Sequence, residues 1–151
     1  MVTDNDIKKF YNAFPLIRKA VGWSAEEFGE KIGVKRQTIS NLENKRVKLT
    51  MTTYIAMRFV LEQEMKEHKE ETEMLKAVLD AFVDRYDKYT DEQRGEIKKK
   101  TDLLSSAVKT KTISRKEANN EWKALLTLSI LGGSVLGIVS SVVLGAWRNK
   151  K

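Results

Sequence analysis

The chain has 151 residues, with 28 Lys and Arg against 21 Asp and Glu, one His and no Cys. The lack of cysteine excludes disulfides and thiol chemistry, and His68 has no Cys or second His with which to form a metal site. One Pro and eight Gly, without a regular alternation of apolar and polar residues, point to an all-α protein, and the length allows one compact domain plus extensions.

Charge is unevenly placed: residues 1–60 carry 11 Lys and Arg against 6 Asp and Glu, whereas 61–90 carry 5 against 9. The N-terminal part is therefore the part that attracts a polyanion. It lacks the positively charged, apolar run of a secretory signal, so the first sixty residues are expected to stay in the cytosol. Asp4 to Asp6 can cap a first helix whose apolar residues Ile7, Phe10, Tyr11 and Phe14 recur at helical spacing. Pro15 is expected to break or restart that helix, and a second segment, Leu16 to Val21, leads to Gly22. Trp23 reads as a core residue.

Ser24 and Glu27 form a capping box, so a helix starts there. Phe28 and Ile32 share a face, Gly29 permits a close approach, and Gly33 sits where the helix stops and turns. From about Lys35 to Asn44 a second short helix points Ile39 and Leu42 inward and Arg36, Gln37, Ser40 and Asn41 outward, with no acid among the outward four. Arg, Gln and Asn present paired hydrogen-bonding groups that fit purine edges in the major groove, so this helix is a candidate reader of double-stranded DNA. The basic loop Asn44-Lys45-Arg46-Val47-Lys48 suits the flanking phosphates.

From Phe10 to Leu61 the sequence resembles the helix-turn-helix regulators of the lambda-repressor and Cro type, the XRE-like class. The most specific part runs from Phe28 through Gly33, Val34, Ile39, Leu42 and Glu43. In that family an Arg of the first helix commonly pairs with a Glu ending the recognition helix, and Arg18 and Glu43 occupy the matching positions. The resemblance implies that Arg36, Gln37 and Asn41 read bases and that Lys35, Asn44, Lys45 and Arg46 meet the DNA backbone; Ser40 is expected to join the base readers, and Thr38 and Lys48 the backbone contacts. Ala25 stands where the family often has a phosphate-holding polar residue, and Lys45 where a Gly frequently ends the recognition helix.

Thr50 or Thr52 can cap a further helix containing Tyr54, Ile55, Met57, Phe59, Val60 and Leu61. Leu61, Met65, His68, Thr72, Leu75, Leu79, Phe82 and Tyr86 then follow at alternating four- and three-residue steps, the spacing of a coiled-coil seam. This favours a long helical stalk pairing with a copy of itself, a homodimer whose two heads sit about one DNA turn apart. The alternative is two helices broken near His68-Lys69-Glu70-Glu71, the second, Glu73 to Tyr89, packing against the head. A box at Thr90–Gln93 starts another helix holding Ile97, Leu103, Leu104, Ala107 and Val108, with Lys98 to Lys100 on a solvated face or near lipid headgroups. Residues 109–114 read as a linker before a box at Ser114–Glu117.

From Ala124 to Trp147 no residue is charged, and at 1.5 Å per residue this run spans about 36 Å, enough for a hydrocarbon layer of about 30 Å. It reads as a transmembrane helix bracketed by Trp122 and Trp147. Lys109, Lys111, Arg115, Lys116 and Lys123 before it, against Arg148, Lys150 and Lys151 after it, place the N-terminal side in the cytosol. Ser129, Gly133, Gly137, Ser141 and Gly145 recur every fourth residue, a small-residue stripe suited to contact with itself or another membrane protein.

The expected organisation is a helix-turn-helix bundle over 1–61, a helical stalk and linker over 62–123, a single span over 124–147 and a basic tail over 148–151. The expected function is that of a dimeric, sequence-specific transcriptional regulator tethered to the cytoplasmic membrane, with no catalytic residues, cofactor or metal. The alternative is a membrane-anchored adaptor whose helix-turn-helix holds a cytoskeletal or other protein.

Overall fold

The computed structural model describes residues 2–132, with side chains as far as residue 125. Every regular element among them is helical. The first helix, α1 (Asp4–Val21), is capped by Thr3, whose hydroxyl accepts from the Asp6 N–H at 3.2 Å while the Asp6 carboxylate accepts from the Thr3 N–H at 2.9 Å. Gly22 closes it in the left-handed conformation, φ 79°, with its N–H on the Arg18 carbonyl. Pro15 lies inside α1 and does not break it, contrary to the sequence expectation. The reason is a side chain from elsewhere. Proline leaves the carbonyl four residues back without its helical partner. That carbonyl belongs to Tyr11, and the Lys45 ammonium donates to it.

Three helices follow: α2 (Ala25–Ile32), α3 (Arg36–Glu43) and α4 (Met51–Glu67). Their inward residues Phe28, Ile39, Leu42, Tyr54, Met57 and Leu61 pack with Phe10, Phe14, Ile17 and Val21 of α1. Three aromatic contacts are edge-to-face, Phe10 on Tyr54 at 5.1 Å, Phe14 on Phe28 at 5.2 Å and Trp23 on Phe28 at 5.3 Å, while Phe10 and Phe14 stack at 6.1 Å, arrangements that add to simple burial.

The continuous stalk helix is not formed. α4 ends at His68, a 3₁₀ turn spans Lys69–Glu71, and α5 (Glu73–Leu79) runs into a π turn over Asp80–Asp84. The Thr72 hydroxyl donates to the His68 carbonyl at 2.8 Å and secures the bend. The apolar seam positions Leu61, Leu75 and Leu79 are buried in the chain's own core rather than presented to a second chain. α5 packs against α1, which is the broken-helix alternative.

Next, α6 (Asp91–Lys109) starts from the Thr90–Gln93 box and α7 (Arg115–Gly132) from Ser114, whose hydroxyl accepts from the Glu117 N–H. Residues 110–114 form a tight turn, not a loose linker: Lys111 is left-handed at φ 61°, its N–H reaches the Val108 carbonyl, and the Thr112 N–H reaches Ala107. α6 and α7 make a helical hairpin against α1 and α5.

Trp122 corrects a further expectation. It is 1 % exposed within the protein core, beside Ala118 and Asn119, and so does not lie at a membrane surface. Arg115 and Lys116, expected as flanking cations, are paired with Glu64 at 2.7 Å and Glu70 at 3.0 Å. The expected span overlaps the end of α7. Its residues 133–147, with Gly133, Gly137, Ser141 and Gly145, lie outside the described residues, as do the tail 148–151 and the Ser129 side chain. Among the described residues, no helix is long and apolar enough to cross a membrane.

The Tyr89 phenol is pushed up to about 12 by burial and by the Asp80 carboxylate to which it donates at 2.6 Å. A raised folded value means that the neutral phenol favours the folded state. This contribution is complete below about pH 10 and is lost as pH rises through about 12. Tyr89→Phe is expected to remove that part of the alkaline loss, read as urea midpoints at about pH 9 and about pH 11.

Candidate nucleic-acid interface

Two short helices and the turn between them present the outward residues, and backbone space sets the turn. The Ser24–Glu27 box forms as expected, at 3.0 and 3.2 Å. Gly33 adopts φ 78°, and the Val34 N–H bonds the Gly29 carbonyl at 2.9 Å. A Cβ on Gly29 would lie 2.6 Å from the Val34 carbonyl oxygen, so only glycine lets the chain fold back this tightly.

Arg18 fixes the pair of helices to α1. Its Nε and Nη2 donate to the two Glu43 oxygens at 2.6 and 3.0 Å, and its Nη1 reaches the Trp23 carbonyl at 3.2 Å. A forked, partly buried contact of this kind sets orientation as well as proximity. One guanidinium thus joins α1, the entry to α2 and the end of α3.

Ile39 and Leu42 anchor α3 in the core, which leaves Arg36 and Gln37 exposed and Ser40 and Asn41 half-buried along the outer side. The Gln37 Nε2 donates to Asn41 Oδ1 at 3.0 Å. That bond uses one amide hydrogen and leaves Gln37 Oε1 and its second N–H free, the donor–acceptor pair that an adenine edge requires. Ser40 is engaged by Asn44, whose side chain donates to its carbonyl at 3.0 Å and its hydroxyl at 3.4 Å. The start of α3 has no side-chain cap and no acid in its first turn, so its positive end is open.

The expected backbone contacts divide. Lys35, Asn44, Lys45, Arg46 and Lys48 are exposed and Thr38 is half-buried around α3, but the Lys45 ammonium points elsewhere. Lys45 holds the left-handed position after α3 at φ 61°, with its N–H on Leu42 and the Arg46 N–H on Asn41. Its ammonium lies on α1, bonded to the Tyr11 carbonyl and 3.7 Å from that residue's ring centre, and the loss of water lowers its pKa. The Tyr11 hydroxyl returns a bond to the Val47 carbonyl. The signal for this clasp was in the sequence: Pro15 frees the Tyr11 carbonyl, and a Lys stands where a Gly usually ends the helix.

Comparison with known proteins agrees with this geometry. Residues 16–57 match the family model described as Helix-turn-helix. Antitoxin HipB of Escherichia coli K12 is 43% identical over 54 residues, covering 36% of this chain and 61% of that protein. Antitoxin HipB of Escherichia coli O6:H1 strain CFT073 is 41% identical over 54 residues, covering 36% and 57%. The chain thus spans about three-fifths of the length of the curated relatives it matches. No solved structure matches it significantly.

Two outcomes test the local physics. Gly29→Ala is expected to destabilise the fold by about 1–3 kcal/mol in urea unfolding, because the obstructing atom is backbone. Lys45→Met is expected to cost about 1 kcal/mol in the parent chain and much less in a Pro15→Ala background, where the helix supplies its own donor to Tyr11; a double-mutant cycle measures the difference.

Proposed function

We propose that the XRE-type helix-turn-helix domain of this chain makes it a sequence-specific, DNA-binding transcriptional regulator that acts as a dimer and is tethered to the cytoplasmic membrane through residues 124–147. The observation that carries the DNA-binding part is the acid-free outer side of α3, held rigidly on α1 by the Arg18–Glu43 fork. Arg36, Gln37, Ser40 and Asn41 read bases, with Gln37 pre-oriented by Asn41. Lys35, Thr38, Asn44, Arg46 and Lys48 meet phosphates around the open start of α3. The Helix-turn-helix match and the likeness to two proteins named antitoxin HipB support this reading. The uncharged run supports the tether.

Genome-wide crosslinking of the full-length protein in its own cell, beside an Arg36→Ala/Gln37→Ala variant, tests the function. Sharp peaks sharing a two-fold symmetric motif and lost in the variant are the expected result; a flat profile at equal expression transfers the domain to the adaptor reading. On the recovered motif, Gln37→Ala relaxes discrimination at one or two base pairs by about 1–3 kcal/mol. Arg46→Ala weakens all sequences alike and flattens the salt dependence. Retention of the protein in membranes washed with alkaline carbonate tests the tether.

A further inference from the structure

Between the end of α4 and the outer side of α5 lies a groove of about 470 Å³. The turn at His68–Thr72 closes one end, and the fork from Arg58 to Asp84, at 2.9 and 3.0 Å, crosses the other. Half-buried Met65 and buried Leu79 give it an apolar floor. Part of its lining, from Asp80 to Asp84, is a π turn, a rare conformation met mostly at functional sites.

The charges around the groove divide into committed and open ones. Of the four acids that line it, three are already bonded: Glu62 and Asp84 to Arg58, and Asp80 to Arg85 at 3.1 Å and to the Tyr89 hydroxyl at 2.6 Å. The three lining lysines, Lys66, Lys69 and Lys76, are exposed and form no ion pair among the described residues. The two acids one helical turn from Lys66 are taken up elsewhere, Glu62 by Arg58 at 2.8 Å and Glu70 by Lys116 at 3.0 Å. Three open ammonium groups therefore share the groove with one open carboxylate, that of half-buried Glu73. A concave wall of low dielectric concentrates their positive potential.

We propose that this groove is a binding site for a small organic polyanion, a carboxylate or phosphate compound with a hydroxyl group and a short carbon body. Lys66 and Lys69 on one side and Lys76 on the other hold its anionic groups, Met65 and Leu79 receive the carbon body, and Glu73 accepts a hydrogen bond from the hydroxyl. The volume is that of a small-molecule site, and a groove closed at both ends does not admit a peptide running through it. Because α5 packs on α1, an anion held from both sides ties the end of α4 to α1. The site draws no residue from α2 or α3 and does not depend on the DNA-binding reading.

Lysine footprinting of the full-length chain in uncharged detergent, at fixed ionic strength, tests it. Reductive dimethylation is read lysine by lysine by mass spectrometry with millimolar citrate, fructose 1,6-bisphosphate or fructose present. A polyanion is expected to slow labelling of Lys66, Lys69 and Lys76 about fivefold or more, while Lys99, exposed on α6, reacts as before and fructose protects nothing. Protection by citrate alone assigns the site to carboxylates, and by the bisphosphate alone to phosphate esters. Lys76→Met, an exposed change that keeps the urea midpoint, should abolish protection of Lys66 and Lys69, whereas Lys99→Met should leave it intact. Equal protection of Lys99, which would show only a general attraction of a basic chain for anions, overturns the proposal. So does protection that survives Lys76→Met, or none from either polyanion.

Discussion

The fold depends on α1 remaining a single helix through Pro15. Its N-terminal half holds Phe10 against Tyr54, and its C-terminal half carries Ile17, Val21 and the Arg18 guanidinium. A break at Pro15 would uncouple these. The Lys45 ammonium on the freed Tyr11 carbonyl compensates for the missing backbone donor and, in the same contact, docks the far end of the reading unit onto α1. α3 is thus clasped just beyond its end through Lys45 and at its last residue through Glu43, both to the same helix.

The other side of α1 faces α5 and α6, with Lys19 joined to Asp102 at 3.2 Å. Two buried polar side chains bond across this second half. Asn119, with no exposed surface, accepts from the Met74 N–H at 2.9 Å and donates to the Arg115 carbonyl at 2.8 Å, so one side chain of α7 caps the start of α5. Arg94, nearly buried, donates to the carbonyls of Tyr86 and Tyr89 and to Asp91. Such groups are costly unless fully bonded, and when bonded they fix one arrangement of the helices around them.

What could be read from the sequence followed from local rules. The Ser24–Glu27 box, the glycines at 29 and 33 and the inward pair Ile39 and Leu42 each act within one turn of helix, and each lies where expected. The seam from Leu61 to Tyr86 shows the limit. Four-three spacing states that one side of a helix is covered, not whether the cover comes from another chain or from the chain's own α1 and α7. Trp122 was misplaced for a related reason: an indole next to a long uncharged run looks the same whether lipid or α6 covers it. Asn119 gave no local sign at all, since its partner at Met74 is 45 residues away.

The placement of Ala118, Asn119 and Trp122 determines where this chain can be cut. All three belong to the core that contains Phe10 and Leu75 or bond directly into it. Severing the backbone between α6 and Trp122 would remove a wall of that core and expose the start of α5. A cut that leaves this core intact must therefore fall beyond Trp122, where α7 holds the peptide bonds in helical form as far as Gly132. A helical bond must open before it is cleaved, so cleavage between Trp122 and Gly132 waits on fraying of α7.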